Sequence, residues 1–280
     1  MSTKEFAVTE PSRSTFLRRK LGAKLKRMRE QAKMSLDDAA PRLDKTRSTL
    51  HRIEKGETRA DVHLIRSMMD VYDIFDADLV EEARAAAKTP WYRAYGFKDL
   101  GYVDVETEAA RVREFQPVDI SGLLQTPAYM RALFDAYHRG GPLTMENDLK
   151  VRSIRRRRLT SKDRPLQLTS LIYEAALHRE VGGAEVMREQ LRHLVEVSEL
   201  PTVTLQIVPL KALYVPNGVF TLLGFEDPAD PEMLYVEYPT GSLHIEDESE
   251  VHEAKLVFEQ VHAKSLSPTD SVALIERLIS

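Results

Sequence analysis

The stretch LGAKLKRMREQAKMSLDDAAPRLDKTRSTLHRIEKGE, residues 21–57, carries the reading of the fold. Leu17, Leu21, Leu25 and Met28 recur at four, four and three residues and so line one face of a helix. Arg18, Arg19, Lys20, Lys24, Lys26, Arg27 and Arg29 are expected on its wet side. Ser35 stands where an N-cap belongs, and Asp37 and Asp38 fall in the first turn of a second helix, where carboxylates favour the positive end of the helix dipole. Leu36, Ala39, Ala40 and Leu43 form its buried side. After a tight turn at Asp44-Lys45 a third helix opens, capped by Thr46, with Leu50 and Ile53 inward and Gly56 just past its end. Two short helices joined this way, the second with a polar exposed face, fit a helix-turn-helix.

Working outward, Val62, Ile65, Met68 and Met69 start a fourth helix, and a fifth is expected from about Asp76 to Ala87. These five helices predict an all-α domain over residues 15–88 that ends at Thr89-Pro90, because Pro90 disfavours α geometry at the residue before it. Residues 89–280 read as a larger mixed α and β domain. Helices are expected near Thr107 to Glu114, Pro127 to His138, Leu149 to Leu159, Ala184 to Glu199, Glu248 to Val261 and Pro268 to Ile279. Period-two or wholly apolar runs predict strands at Leu166 to Tyr173, Val203 to Pro209, Val219 to Phe225, Met233 to Tyr238 and Ser242 to Ile245. The last three are separated by turn-rich joints, Asp227-Pro228-Ala229-Asp230-Pro231 and Thr240-Gly241, and read as an antiparallel meander.

Charge divides along the same line. Residues 13–59 hold 15 Lys/Arg against 6 Asp/Glu, a net +9, whereas residues 60–280 hold 24 against 36, a net −12, within a chain whose total is −4. A basic module for a polyanion joined to an acidic body is the implied organisation, with a chance cluster of solvated lysines as the alternative. The 280 residues contain no cysteine, which excludes disulfides, thiolate nucleophiles, iron–sulfur clusters and Cys-type zinc sites. No apolar run approaches the roughly 20 residues needed to span a bilayer, and the N-terminus lacks the apolar segment of a secretory signal. The sequence therefore predicts a cytoplasmic, nucleoid-associated protein with no membrane partner.

In a helix-turn-helix the second helix lies in the major groove, with its N-terminal side chains at base edges. The exposed positions here are Arg47, Ser48, Thr49, His51 and Arg52, with Ser35, Lys45 and Thr46 as flanking contacts that hold register on phosphates. Arginine can bond bidentately to guanine, and Ser/Thr can address several base edges. Double-stranded DNA is the expected partner; a helical interaction module with a solvated basic face is the alternative. The quoted stretch, closing on R-I-E-x-G at Arg52, Ile53, Glu54 and Gly56, resembles the Cro/repressor-like, xenobiotic-response-element class of bacterial regulators. VREFQPVDISGLLQTPAYMRALF, EAALHREVGGAEVMREQLRHLVEVSELPTVTLQIVP and GVFTLLGFEDPADPEMLYVEYPTGSLHIED resemble the C-terminal domain of WhiJ-like regulators, with GLLQT at residues 122–126 as the most characteristic element. That resemblance implies an antitoxin-like regulator and a small partner protein encoded nearby, and the helix-turn-helix class implies a homodimer on DNA. Where such regulators usually open the second helix with a phosphate-contacting Gln, this chain has Leu36. It also has Pro41 late in that helix, and Asp44 where the turn is commonly Gly.

Other constellations carry two readings each. Arg152 and the run Arg155 to Arg158 are an anion patch or arginines paired against the domain body; His244, Glu246, Asp247, Glu250 and His252 are a metal site or, since the spacing matches no metal motif, a strand-to-helix joint with surface charges. Trp91, Tyr92 and Tyr95 are a ligand-stacking platform or a hydrophobic seam. Gln125, Tyr129, Gln206, Glu237 and Tyr238 are amphipathic groups in apolar segments, suited to a ligand or partner pocket or to satisfied core positions. There is no Walker loop, G-x-S-x-G, H-E-x-x-H or Cys/His pair, so no catalytic residue, metal or cofactor is expected. The enzyme alternative is a reaction on a small anionic substrate with the helical domain as accessory.

Overall fold

A computed structural model of the chain describes residues 15–97, 101–137, 142–227 and 230–279. The boundary between its two compact units falls between Asp104 and Val105.

The first unit is helical: α1 (Phe16–Gln31), α2 (Leu36–Arg42), α3 (Arg47–Glu54), α4 (Val62–Tyr72) and α5 (Leu79–Ala87), with a 3-10 turn at Trp91–Tyr95. Leu25, Leu50, Ile65 and Met68 are fully buried at its centre. Ser35 caps α2 in a capping box with Asp38, and Thr46 caps α3 by accepting from the Thr49 N–H. Asp44 adopts the left-handed conformation that closes α2. The Lys45 N–H reaches Ala40 O and the Asp44 N–H reaches Pro41 O, the paired bonds of a Schellman ending. Pro41 is thus accommodated in the final turn, where its missing N–H does not interrupt a longer helix. Gly56, at φ 71°, closes α3 in the same way, and a Cβ there would sit 2.7 Å from the Arg18 backbone.

One position departs from the wet face expected of α1. Arg29 is only 7% exposed, and its Nε and Nη2 donate to Glu54 Oε1 and Oε2 at 2.7 and 2.9 Å, while Nη1 donates to Met34 O at 2.8 Å. Arg29 lies four residues after Leu25 and so shares its inward face; position on the helix outweighs charge once a carboxylate is there to meet it. Tyr72 is buried beside this pair, and desolvation pushes its phenol up to about 12.

The second unit follows α6 (Gly101–Glu108), which straddles the boundary. It comprises β1 (Arg111–Gln116), α7 (Pro127–Tyr137), α8 (Pro142–Arg156), β2 (Gln167–Tyr173), α9 (Ala175–His178), α10 (Ala184–Ser198) and β3 (Val203–Val208), then β4 (Phe220–Gly224), β5 (Met233–Tyr238), β6 (Gly241–Ile245), α11 (Glu248–Lys264) and α12 (Pro268–Ile279). A 3-10 turn at Arg157–Thr160 continues α8. The strands form one mixed sheet in the order β3-β2-β1-β4-β5-β6. β1, β2 and β3 are parallel, and β4, β5 and β6 form the expected antiparallel meander, joined to the parallel half through β1.

That central strand is where the sequence reading fails. A helix is expected over Thr107 to Glu114, but α6 ends at Glu108 and β1 occupies Arg111–Gln116. Three charged residues in RVREFQ hide its alternation. The structure satisfies two of them on opposite faces of the sheet: Arg113 meets Glu232 at 2.9 Å, and Glu114 accepts from Ser170 at 2.9 Å. The helix expected from Leu149 begins earlier, at Pro142. His138, Pro228 and Ala229, parts of an expected helix end and turn, lie outside the described residues, as do residues 1–14.

On one face of the sheet Phe115, Leu171, Phe220 and Leu222 pack with Phe258 and Val261 of α11. Phe220 stands edge-on to Phe258 at 6.5 Å and tilted to Phe115 at 6.2 Å. No helix among the described residues is long and apolar enough to cross a membrane.

Candidate functional site

The two caps hold α2 and α3 rigidly about the Asp44 turn, and Leu50 and Ile53 anchor α3 in the core. What remains on the outside is polar. Ser35, Lys45, Thr46, Arg47, Ser48, His51 and Arg52 are exposed, and Thr49 is half-buried. Thr46 Oγ1 lies 3.1 Å from Ser48 Oγ and 2.9 Å from Thr49 Oγ1, a hydroxyl cluster at the N-terminal end of the helix. Arg47 Nε rests 3.3 Å from Asp37, and Arg52 Nε 3.7 Å from Glu57, all four side chains at least half exposed. Such surface ion pairs are worth about 0 to 1 kcal/mol, so a phosphate or a guanine edge displaces them at little cost. Ser35 and Thr46 have structural duties as caps besides any contact with a ligand. Leu36, which opens α2, packs its side chain against the helical core.

Each named residue of the R-I-E-x-G closure has its own place in the fold. Arg52 faces solvent, Ile53 is buried, Glu54 receives Arg29, and Gly56 supplies the left-handed turn against α1.

The five candidate pocket residues of the second unit do not converge as a set. Gln206 on β3 donates to Leu266 O at 2.8 Å, and its Oε1 lies 2.6 Å from His262 Nε2. Tyr129 is buried, its hydroxyl accepting from the Ile120 N–H, and Tyr238 is 45% exposed near the far edge of the sheet. Gln125 and Glu237, by contrast, are both tied to one group, the guanidinium of Arg152, for which the sequence leaves an anion patch and a paired arginine as alternatives. Gln125 Oε1 accepts from Arg152 Nη1 at 2.9 Å, and Glu237 lies within electrostatic range of the same guanidinium.

The arginine run itself is mostly paired against the body of the domain. Arg155 forks onto Glu106 through Nε (2.7 Å) and Nη2 (2.5 Å), Arg156 Nη2 meets His193 at 2.8 Å, and Arg158 Nη2 donates to Ala109 O at 2.7 Å. Arg157 is exposed.

Opposite the Phe115 face, the register aligns Ser170, Glu114, Thr221, Tyr235 and His244 in one cross-strand row over β2, β1, β4, β5 and β6. Tyr235 and His244 meet with ring centroids 5.0 Å apart. Glu114 is 3% exposed and burial raises its carboxyl above the ordinary 4.5, against hydrogen bonds from Ser121, Ser170 and Gln116 that favour the charged form. Because the folded value lies above the unfolded one, this group stabilises the fold below 4.5, and the contribution is lost as pH rises through the folded value. Glu114→Gln is therefore expected to match wild type in acid and to exceed it increasingly toward neutrality. Melting curves of both proteins between about pH 4 and 8 check this, and a difference independent of pH would refute it. The sequence signal for this row was the strand that its own charges concealed.

Residues 20–83 match the family described as a helix-turn-helix domain, and residues 100–277 match the domain of unknown function DUF5753. No curated protein and no solved structure matches the chain.

Proposed function

The chain belongs to the DUF5753 family, and on that premise, with a helix-turn-helix domain ahead of it, we propose that it is a sequence-specific transcriptional regulator and not an enzyme. In this reading residues 15–88 read DNA and residues 89–280 sense a small protein partner or compact ligand, as in a WhiJ-like, antitoxin-like regulator of the cytoplasm. The observation that carries it is the outer face of α3: Arg47, Ser48, His51 and Arg52 are exposed together on a doubly capped helix within a segment of net +9. Basic side chains outside a rigid helix supply both the phosphate attraction and the base-edge donors that operator binding needs. One such helix offers few base contacts, so a homodimer reading half-sites about 34 to 36 Å apart is part of the proposal.

The partner-protein form of the sensing role draws on Leu210, Leu213 and Tyr214, large apolar side chains each at least half exposed between β3 and β4. A signal at the second unit alters DNA affinity only through its different affinity for the DNA-competent and incompetent states.

The test is selection of duplexes from a random library with the full chain, followed by titration of the selected operator. Arg47→Ala and Arg52→Ala are each expected to weaken binding by about 1 to 3 kcal/mol if the contact is to a base, or to reduce the salt slope by about one if it is to a phosphate. Circular dichroism should be unchanged, since both side chains are solvent-facing. Wild-type affinity in both variants would remove α3 as the recognition helix.

A further inference from the structure

We propose that Arg152, at the GLLQT loop, is the anchor of a binding site for a small molecule that carries a single carboxylate on an apolar body. This deepens the sensing role proposed above and rests on it for its consequence at DNA, though not for the binding itself.

Buried guanidinium groups normally end on carboxylates, because an uncompensated charge in the interior is costly. Arg155, three residues on, does so with Glu106. Arg152 does not. Protein surrounds it closely enough to push its guanidinium down to about 10, chiefly by desolvation and then by Arg155, yet its surface stays partly open to solvent. Among the described residues its contacts are an amide oxygen, Gln125 Oε1 at 2.9 Å, and the ring of Phe134, 4.9 Å from the guanidinium carbon. A guanidinium has five N–H donors, and one is engaged here. No carboxylate forms an ion pair with it among the described residues.

The surrounding loop is built to hold that arrangement. Gln125 donates to Ile120 O at 2.6 Å while accepting from Arg152, so its amide is fixed in orientation. Gln190 of α10 secures the loop from the other side, accepting from the Thr126 N–H at 2.7 Å and donating to Leu124 O at 2.8 Å. Gly122 gives the guanidinium room: a Cβ there would stand 3.2 Å from Arg152 Nη1. Four residues of one pentapeptide, Gly122, Leu124, Gln125 and Thr126, thus serve the placement of a single cation.

The ligand class follows from what lies around the fork. A planar guanidinium matches a carboxylate with two parallel hydrogen bonds, and the Phe134 ring offers an apolar wall beside it. Asp148, Glu237 and Glu106 all act electrostatically on Arg152 without neutralising it by contact. The fork carries one positive charge, which a single carboxylate neutralises, so a monoanion is favoured over the dianion of phosphate.

The probe is benzoate, titrated into the full-length protein by calorimetry. Expected is saturable binding, weakened at least about tenfold by Arg152→Gln, which loses the fork. Arg157→Gln, an exposed neighbour on the same run, should bind as wild type. The Arg152 side-chain Nε resonance of the wild-type protein should shift with benzoate, a reading that decides the matter alone should Arg152→Gln fail to fold. No saturable binding by about 10 mM, equal affinity in a folded Arg152→Gln, or displacement of benzoate by an equal concentration of inorganic phosphate would each overturn the proposal. Operator binding measured on the same samples separates the two readings. Benzoate binding without any DNA binding would sink the regulator reading and leave this site standing, and the converse result would do the reverse.

Discussion

Glu54→Ala is expected to destabilise the helix-turn-helix unit by about 3 to 5 kcal/mol, because it strands the Arg29 guanidinium in the core. The hydrogen bond to Glu54 is what raises Arg29 above the ordinary arginine value, and both side chains are at most 8% exposed. The pair joins α1 to the end of α3, so its loss should reach the outer face of α3 as well as folding. Hydrogen exchange within α1 and α3 reads the effect where it arises, apart from the second unit. The double replacement Arg29→Met, Glu54→Leu should recover most of the loss, since an apolar pair of similar size is often as stable as a buried ion pair. A loss below about 1 kcal/mol for Glu54→Ala would mean the pair behaves as a surface one.

Glu106→Ala should have an effect of the same size, about 3 to 5 kcal/mol, in the second unit. Its carboxylate is 1% exposed and takes both arms of the Arg155 fork. Removing it leaves two half-buried arginines, Arg152 and Arg155, repelling each other next to the GLLQT loop. Denaturant unfolding followed by tyrosine fluorescence checks the prediction. Glu106→Gln, which keeps two hydrogen-bonding atoms but no charge, should fall between wild type and Ala.

The helical unit was legible because its signals are local. Ser35, Thr46 and Gly56 mark helix ends by their own chemistry, and the Leu17, Leu21, Leu25 and Met28 positions follow a 3.6-residue period. Arg29 was not legible, since nothing near it in sequence tells that Glu54 stands opposite. The meander announced itself through apolar strands and turn residues, whereas β1 has Arg, Arg and Glu at three of six positions and could be recognised only from the strands beside it. The outer face of α3 was readable for the same reason as the caps. The Arg152 site was not, because it is assembled from α7, α8 and a loop, with Glu106 of α6 and Glu237 of β5 in electrostatic range, and these groups come near one guanidinium only after the unit has folded.

The central place of β1 has a bearing on the order in which the newly made chain acquires structure. Each helix of the first unit finds its partners within a short length of chain, so that unit can form as soon as it leaves the ribosome. β1 is made early, but its parallel neighbour Gln167–Tyr173 and its antiparallel neighbour Phe220–Gly224 come much later. Until they arrive its ladder groups are open on both sides, and Phe115 has no core to enter. Folding of the second unit should therefore be post-translational and slower, with Arg111–Gln116 as the segment most in need of protection from pairing with other chains.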